Sequence, residues 1–161
     1  GAIYTILRET LMKLAEALQE RADLNKKIDS LNERLQSNAI VQEGEKPAED
    51  PALLMEELDS AVLRLEEVVA KINITNSRTI VDGKSITQLI AKKDALQKKA
   101  AIYRNVVSQA SQTARRATRS EIKILSAVDV QALQKKVDAL SKEIRVTDNT
   151  IQELNWKTEL L

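Results

Sequence analysis

The sequence predicts an all-α protein, either an antiparallel four-helix bundle or coiled-coil-like helical hairpins, with one small β-hairpin-like excursion. Three observations favour this class. Apolar residues recur at three- and four-residue spacing over four long stretches, which is the pattern of helices with one buried face. Aromatic residues make up only 2 % of a chain that is 43 % apolar, so aliphatic side chains must fill the core. Three glycines and two prolines leave little turn-forming material for a β-rich fold.

The first two helices are separated by a polar, acidic stretch. Apolar spacing predicts the first helix over about residues 11–36. Residues 37–50 are predicted to form a mobile connection that ends with Asp50 as helix cap, because Pro51 then occupies the first helical position, where its missing N–H costs nothing. The second helix is predicted over 51–72.

The helical pattern is interrupted once, after the second helix. Residues 79–81 are β-branched, and the Asp82-Gly83 pair that follows favours a tight turn because glycine tolerates positive φ. We therefore predict a β-like excursion at about 75–84. Alternating residues over about 121–125 form a candidate strand that could pair with 79–81.

Two more helices follow the excursion. Ser85 stands three residues before Gln88, the spacing at which each side chain bonds the backbone of the other at a helix N-terminus. The third helix is predicted over 85–113. The fourth is predicted over about 129–157 from a long apolar seam.

The chain is long enough for one continuous core, and we predict a single helical domain over 12–161. Met12 begins the regular helical pattern and is a candidate natural start. We therefore interpret residues 1–11 as an N-terminal extension.

Composition excludes several kinds of chemistry. The chain has no cysteine and no histidine, so it lacks a thiol nucleophile and the commonest general base and metal ligand near neutral pH. We expect no enzyme activity, no metal, no cofactor and no small-molecule ligand. The net charge of +1 argues against non-specific attraction to nucleic acid or anionic lipid. Because no apolar run is long enough to span a bilayer and no signal-peptide pattern opens the chain, we expect a cytoplasmic protein.

The second predicted helix has the most regular apolar repeat in the chain. Its stripe is wide, and a wide stripe usually contacts more than one neighbouring helix, either in the same chain or in another subunit. We predict a soluble homo-oligomer in which this helix supplies interface surface. The candidate interface residues are Leu54, Met55, Leu58, Val62, Leu65 and Val69.

Charge is unevenly distributed along the chain. Residues 43–67 contain nine acidic and two basic residues, whereas residues 71–123 contain twelve basic and three acidic residues. One interpretation is that the acidic second helix lies against the basic third helix. The other is a basic surface for an anion, nucleic acid or an acidic partner. Its candidate contact residues are Arg78, Arg115, Arg116, Arg119 and Lys123. The same basic cluster could also stabilise the C-terminus of the third helix.

Several sequence blocks occur together and in order from residue 12 onward. They are MKLAEALQERADL, EGEKPAEDP, INITNSRTIVDGKSIT, RSEIKILSAVDVQALQKKVDAL and TIQELNWKTELL. In this combination the chain resembles a septicolysin-like family of small bacterial helical proteins whose function is uncharacterised. The resemblance implies a helical protein, and the label implies a membrane-acting cytolysin. It carries over no site residues.

Taken together, the sequence favours a non-catalytic, self-assembling helical protein of bacterial type that acts through protein–protein interaction. A membrane-acting cytolysin is the first alternative. Nucleic-acid binding through the Arg115–Lys123 basic cluster is the second.

Overall fold

The computed structural model describes residues 2–4, 12–112 and 122–161. The predicted fold class, mostly α-helical with a small β excursion, is confirmed. The long helices are α1 (Leu14–Ser37), α2 (Pro51–Arg78), α3 (Ile86–Ala110) and α4 (Val130–Lys157), and two short strands are β1 (Ile80–Val81) and β2 (Lys84–Ser85). The predicted extension 1–11 lies mostly outside the described residues.

The chain divides into two compact units. Unit 1 comprises the described residues up to Ile80 together with Leu154–Leu161, and unit 2 comprises Val81–Glu153. Most of α4 therefore belongs to unit 2, while its last turn belongs to unit 1.

Unit 1 is built on an antiparallel pair of helices, α1 and α2. Their direction follows from two contacts. Arg34 near the end of α1 bonds Glu49 just before α2 begins, and Glu20 near the start of α1 binds Arg64 in the middle of α2, with Nε 2.6 Å from Oε1. The buried positions of both helices repeat at helical spacing. They are Leu14, Ala17 and Leu31 in α1, and Leu54, Ala61, Val68, Ile72 and Thr75 in α2.

The connection between α1 and α2 is fixed at both ends. Arg34 Nε donates to Glu49 Oε2 at 2.9 Å. The side chain of Asn38, which is buried, donates to the Arg34 carbonyl and accepts from the Glu49 backbone N–H. Asp50 caps α2 by accepting from the Ala52 N–H, as the sequence predicted. These bonds join the two ends of the connection to each other, and the mobility of residues 37–50 stays a prediction.

Helix α2 continues further than the sequence indicated, to Arg78 rather than Ile72. The extra turns contain polar residues that interrupt the apolar pattern. Thr75 is one of them, and it is fully buried. Its burial is tolerated because its hydroxyl donates to the Lys71 carbonyl at 2.8 Å. A satisfied hydroxyl can occupy a core position, which apolar spacing alone does not reveal.

The C-terminal residues of unit 1 bind back onto its helix pair. Three hydrogen bonds carry this contact, and each has a large separation in sequence. They run from Leu14 N to Thr158 O at 2.8 Å, from Leu160 N to Met12 O at 2.8 Å and from Leu161 N to Thr75 Oγ1 at 3.0 Å. Leu160 is buried, so the tail adds an apolar side chain to the core as well.

The β excursion is a tight hairpin in which β1 pairs with β2. Asp82 and Gly83 have φ values of 51° and 78°, the positive pair required by the two-residue turn that matches strand twist. The suggested partner strand at 121–125 is wrong for the part that is described, because residues 122–125 form no strand. A two-residue turn brings the nearer segment into register first, at a lower cost in chain entropy.

Unit 2 is built on α3 and α4, which run antiparallel. Lys93 Nζ lies 2.9 Å from Asp148 Oδ1, and further along α3 Arg104 Nη2 donates to Ser141, an earlier residue of α4. Helix α3 begins with the predicted capping box, in which Ser85 and Gln88 bond each other's backbone N–H groups. It ends at Ala110, three residues before the predicted end, and residue 113 lies outside the described chain.

Candidate interaction surface

Helix α2 has two apolar faces, and only one of them is buried. The buried face packs against α1. Beside it lies a second row at three- and four-residue spacing, which we call the α2 stripe. The α2 stripe consists of Met55, Leu58, Val62, Leu65 and Val69. Met55 is 54 % exposed and Val62 is 47 % exposed, while the other three are half-buried. An aligned apolar row of this kind is the pattern by which one helix packs along another.

Five of the six predicted interface residues thus form the α2 stripe. The sixth, Leu54, is wrong as an interface residue, since it is only 3 % exposed and belongs to the core of unit 1. Leu54 and Met55 are neighbours in sequence but about 100° apart around the helix, so one points inward and the other outward.

Acidic side chains accompany the α2 stripe. Asp59 follows Met55 by four residues, and Glu66 follows Val62 by four residues, so both share the face of the stripe. Both are exposed. Neither makes an ion pair with any residue in the described part of the chain.

In unit 2, the outer side of α3 carries apolar side chains that sequence reasoning missed. Ile102 is 60 % exposed and Val106 is 36 % exposed. Together with residues 124–128 they border a groove of about 550 Å³. Its apolar lining includes Ile102, Val106, Ala110, Ile124, Leu125 and Val128. The available signal was that Ile102 and Val106 fall outside the regular seam of α3, where an apolar residue has no partner in a two-helix pair.

Two lysines lie on the same side of α3. Lys98 and Lys99 precede Ile102 by four and three residues, and both are exposed. The Lys99 ammonium lies 5.6 Å from the centre of the Tyr103 ring, within the range of a cation–π contact. Neither lysine makes an ion pair within residues 12–112 and 122–161. We call Lys98, Lys99, Ile102 and Val106 the α3 patch.

Two of the predicted anion-contact residues lie within the described structure, and they belong to different units. Arg78 is the exposed last residue of α2, and Lys123 is exposed in an irregular segment. Arg115, Arg116 and Arg119 lie outside the described residues. The nucleic-acid hypothesis therefore stays a prediction.

Glu49 and Asp148, whose carboxyl pKa values are lowered, each belong to a surface ion pair. The hydrogen bond from Arg34 lowers the pKa of Glu49, and the hydrogen bond from Lys93 lowers the pKa of Asp148. The described residues contain no cluster of three or more potential metal ligands among their histidine, cysteine and acidic side chains. Among the same residues, no helix combines the length and apolar character needed to cross a membrane.

Comparisons with known proteins add the family and the fold. The sequence profile of DUF6847, described as a family of unknown function, matches residues 21–160. The structure is similar to the crystal structure of a functionally unknown conserved protein from Corynebacterium diphtheriae, with 39 % identity and a TM-score of 0.88. That match covers 94 % of this chain and 99 % of the other. The comparison with curated proteins finds no match.

The septicolysin-like resemblance is wrong, because the family that matches is DUF6847 and neither comparison shows a link to septicolysin. Two of the blocks that carried the resemblance lie mainly in α1 and α4, whereas EGEKPAEDP lies almost entirely in the α1–α2 connection and INITNSRTIVDGKSIT includes the β hairpin. Leucine, lysine and glutamate at helical spacing are shared by many unrelated helical proteins, so such blocks identify a helix better than a family.

Proposed function

The chain belongs to the DUF6847 family, a family of unknown function, so we propose a role from the geometry of its helices. We propose that it is a non-catalytic protein that assembles with a second copy of itself through the α2 stripe. The observation that carries this proposal is the half-exposed apolar row from Met55 to Val69. It runs along 15 consecutive residues of one helix, a length of about 21 Å.

Exposure of this row has a free-energy cost that association would remove. Full burial of a Val, Leu or Met side chain is worth about 1.5–3 kcal/mol relative to exposure. Five such side chains stand in one line, and two of them are about half exposed. Scattered apolar side chains are common on protein surfaces, whereas a continuous row is characteristic of an interaction site.

The distribution of ionisable groups supports a role without catalysis. Active sites usually place shifted carboxyl groups together in a cleft. Glu49 and Asp148 have lowered carboxyl pKa values, but they belong to separate units and each stands beside its own cation. Their shifts are those of structural ion pairs.

The proposal is tested by placing a charge in the middle of the α2 stripe. Val62→Lys should abolish association, because the lysine ammonium would have to leave water in an apolar contact. Leu63→Lys is the matched control: Leu63 is adjacent, on the same helix and 59 % exposed, but it lies outside the α2 stripe. Both variants should retain the circular dichroism of the parent, since neither position is buried.

The measurement is molar mass by light scattering after size-exclusion chromatography, over a concentration series that extends into the micromolar range. The proposal expects an oligomer for the parent and for Leu63→Lys, and a monomer for Val62→Lys. A parent protein that remains monomeric throughout the series would refute it. So would a Val62→Lys variant that assembles as well as the parent.

A further inference from the structure

We propose that the surface that receives the α2 stripe is the α3 patch of a second copy, so that the contact joins an acidic helix of one copy to a basic helix of the other. This inference rests on the proposed self-assembly and names the partner surface for it. One interpretation of the charge distribution in the sequence was that the acidic second helix lies against the basic third. We place that contact between two copies of the chain.

Charge argues against two α2 stripes facing each other. Asp59 lies between Met55 and Val62 on the stripe face, and Glu66 lies between Val62 and Val69. Pairing α2 with α2 of another copy would bring these carboxylates near their own counterparts. Like charges at the edge of a helix contact are unfavourable, and they select against that pairing.

The α3 patch has the opposite sign and a matching apolar centre. Helix α3 contains five basic residues and one acid, Asp94. Contacts with α4 occupy three of the basic residues: Lys92 pairs with Glu143, Lys93 pairs with Asp148 and Arg104 bonds Ser141. Lys98 and Lys99 remain exposed beside Ile102. The patch therefore presents two positive charges next to two exposed apolar side chains, as an acidic apolar helix requires.

The groove beside the α3 patch can accommodate side chains of the α2 stripe. Its volume of about 550 Å³ is bordered by Ile102 and Val106 on one wall and by residues 124–128 on the other. Met55, at the more exposed end of the α2 stripe, has the flexible unbranched side chain best suited to fill such a space. The two lysines of the α3 patch precede Ile102 by about one helical turn, so the apolar contact in the groove and the charges beside it would act together in a specific contact.

A charge-swap experiment tests the pairing. In the first variant, Asp59→Lys and Glu66→Lys make the stripe edge basic. In the second variant, Lys98→Glu and Lys99→Glu make the patch acidic. Each variant alone should associate about tenfold or more weakly than the parent, because attraction at the contact becomes repulsion. An equimolar mixture should recover association, since in a mixed pair both contacts are again between opposite charges.

The control for the charge change is Lys26→Glu with Lys27→Glu. These residues are also adjacent and exposed, but they lie on α1. That variant should associate like the parent. The readout is molar mass by light scattering for each variant and for the mixture, at low and at high salt, since opposite charges attract less at high ionic strength.

Cross-linking gives a geometric readout, because the natural chain has no cysteine to interfere. Val62→Cys on one chain and Ile102→Cys on another should form a mixed disulfide under mild oxidation. Leu63→Cys with Ile102→Cys is the control that should not. A mixed disulfide requires the two Cα atoms to approach within about 7 Å, so its formation reports the α2–α3 contact directly.

The outcomes separate this inference from the proposed function. If the variant at Lys98 and Lys99 assembles as well as the parent while Val62→Lys does not, self-assembly stands and the α3 patch is not the partner surface. If the mixture of the two charge variants does not recover association, or if the Val62–Ile102 disulfide does not form, the inference is overturned. If the parent protein never assembles, both the proposed function and this inference are refuted.

Discussion

Replacement of Thr75 by valine should weaken the attachment of the C-terminal tail to the helix pair of unit 1. The Thr75 side chain is fully buried, and its hydroxyl has two roles. It donates to the Lys71 carbonyl at 2.8 Å and accepts from the Leu161 N–H at 3.0 Å. Valine keeps the shape of threonine and removes both bonds, so Thr75→Val leaves the Leu161 amide without its acceptor.

The expected loss in the free energy of unfolding depends on whether water can reach the Leu161 amide once its acceptor is removed. A hydrogen bond contributes about 0.5–1.5 kcal/mol net, and a buried group left unsatisfied costs about 1–3 kcal/mol. Leu161 itself is 59 % exposed, so water can reach the released amide and the lower figures apply. We expect a loss of about 1 kcal/mol in the free energy of unfolding, which lowers the melting temperature by roughly 2–4 °C for a chain of this size.

Thr147→Val is the matched control for this substitution. Thr147 is also a buried helical threonine, only 5 % exposed, and its hydroxyl donates to the carbonyl four residues earlier at 2.8 Å. Within the described residues no tail amide donates to it. The difference between Thr75→Val and Thr147→Val therefore isolates the tail hydrogen bond from the general effect of removing a buried hydroxyl.

The assay is urea unfolding followed by circular dichroism, together with hydrogen exchange of the Leu160 and Leu161 amides. Exchange at these two amides should accelerate in Thr75→Val and remain unchanged in Thr147→Val. Equal stability of the two variants, with unchanged exchange in the tail, would refute the claim that Thr75 holds the tail.

Three further predictions follow from single contacts. Ser85→Ala removes the cap that accepts from Gln88 N at 3.1 Å, and thermal unfolding should show a loss of about 0.5–2 kcal/mol; no measurable loss would contradict the capping role. Lys93→Ala should flatten the decline of stability at acid pH, measured by urea unfolding at a series of pH values. The reason is that the lowered pKa of Asp148 contributes stability above the unfolded value of 3.8, and this contribution is lost as pH falls through the folded pKa; an unchanged acid limb would contradict it. Ile72→Ala empties a fully buried position and should cost about 2–5 kcal/mol in chemical unfolding, whereas a loss below about 1 kcal/mol would show that the position can collapse around the cavity.

The local signals in the sequence predicted the ends of several elements correctly. Asp50 with Pro51 marked the start of α2, and Ser85 with Gln88 marked the start of α3. The Asp82-Gly83 pair predicted a turn that the structure forms with two positive φ values. Capping and turn formation depend on neighbours within a few residues, so the sequence contains the whole of that interaction.

Contacts between distant residues could not be predicted in the same way. The tail of unit 1 binds Met12, Leu14 and Thr75, and no local spacing indicates that residues 158–161 return to these positions. For the same reason, the sequence predicts the end of α2 at residue 72, whereas the helix continues to Arg78. A polar residue at position 75 ends an apolar pattern in sequence, but in the structure Thr75 is buried with its hydroxyl satisfied at both sides.

For the candidate interaction surface on α2, local spacing in the sequence decided one part and long-range packing decided the other. The sequence by itself determined that α2 carries a wide apolar face, because helical spacing fixes which side chains share a face. Only the tertiary structure decided that Leu54 is covered while Met55 and Val62 remain exposed. Burial depends on which helix packs alongside and at what angle around the axis, and that choice is made by long-range contacts that the pattern of a single helix does not contain.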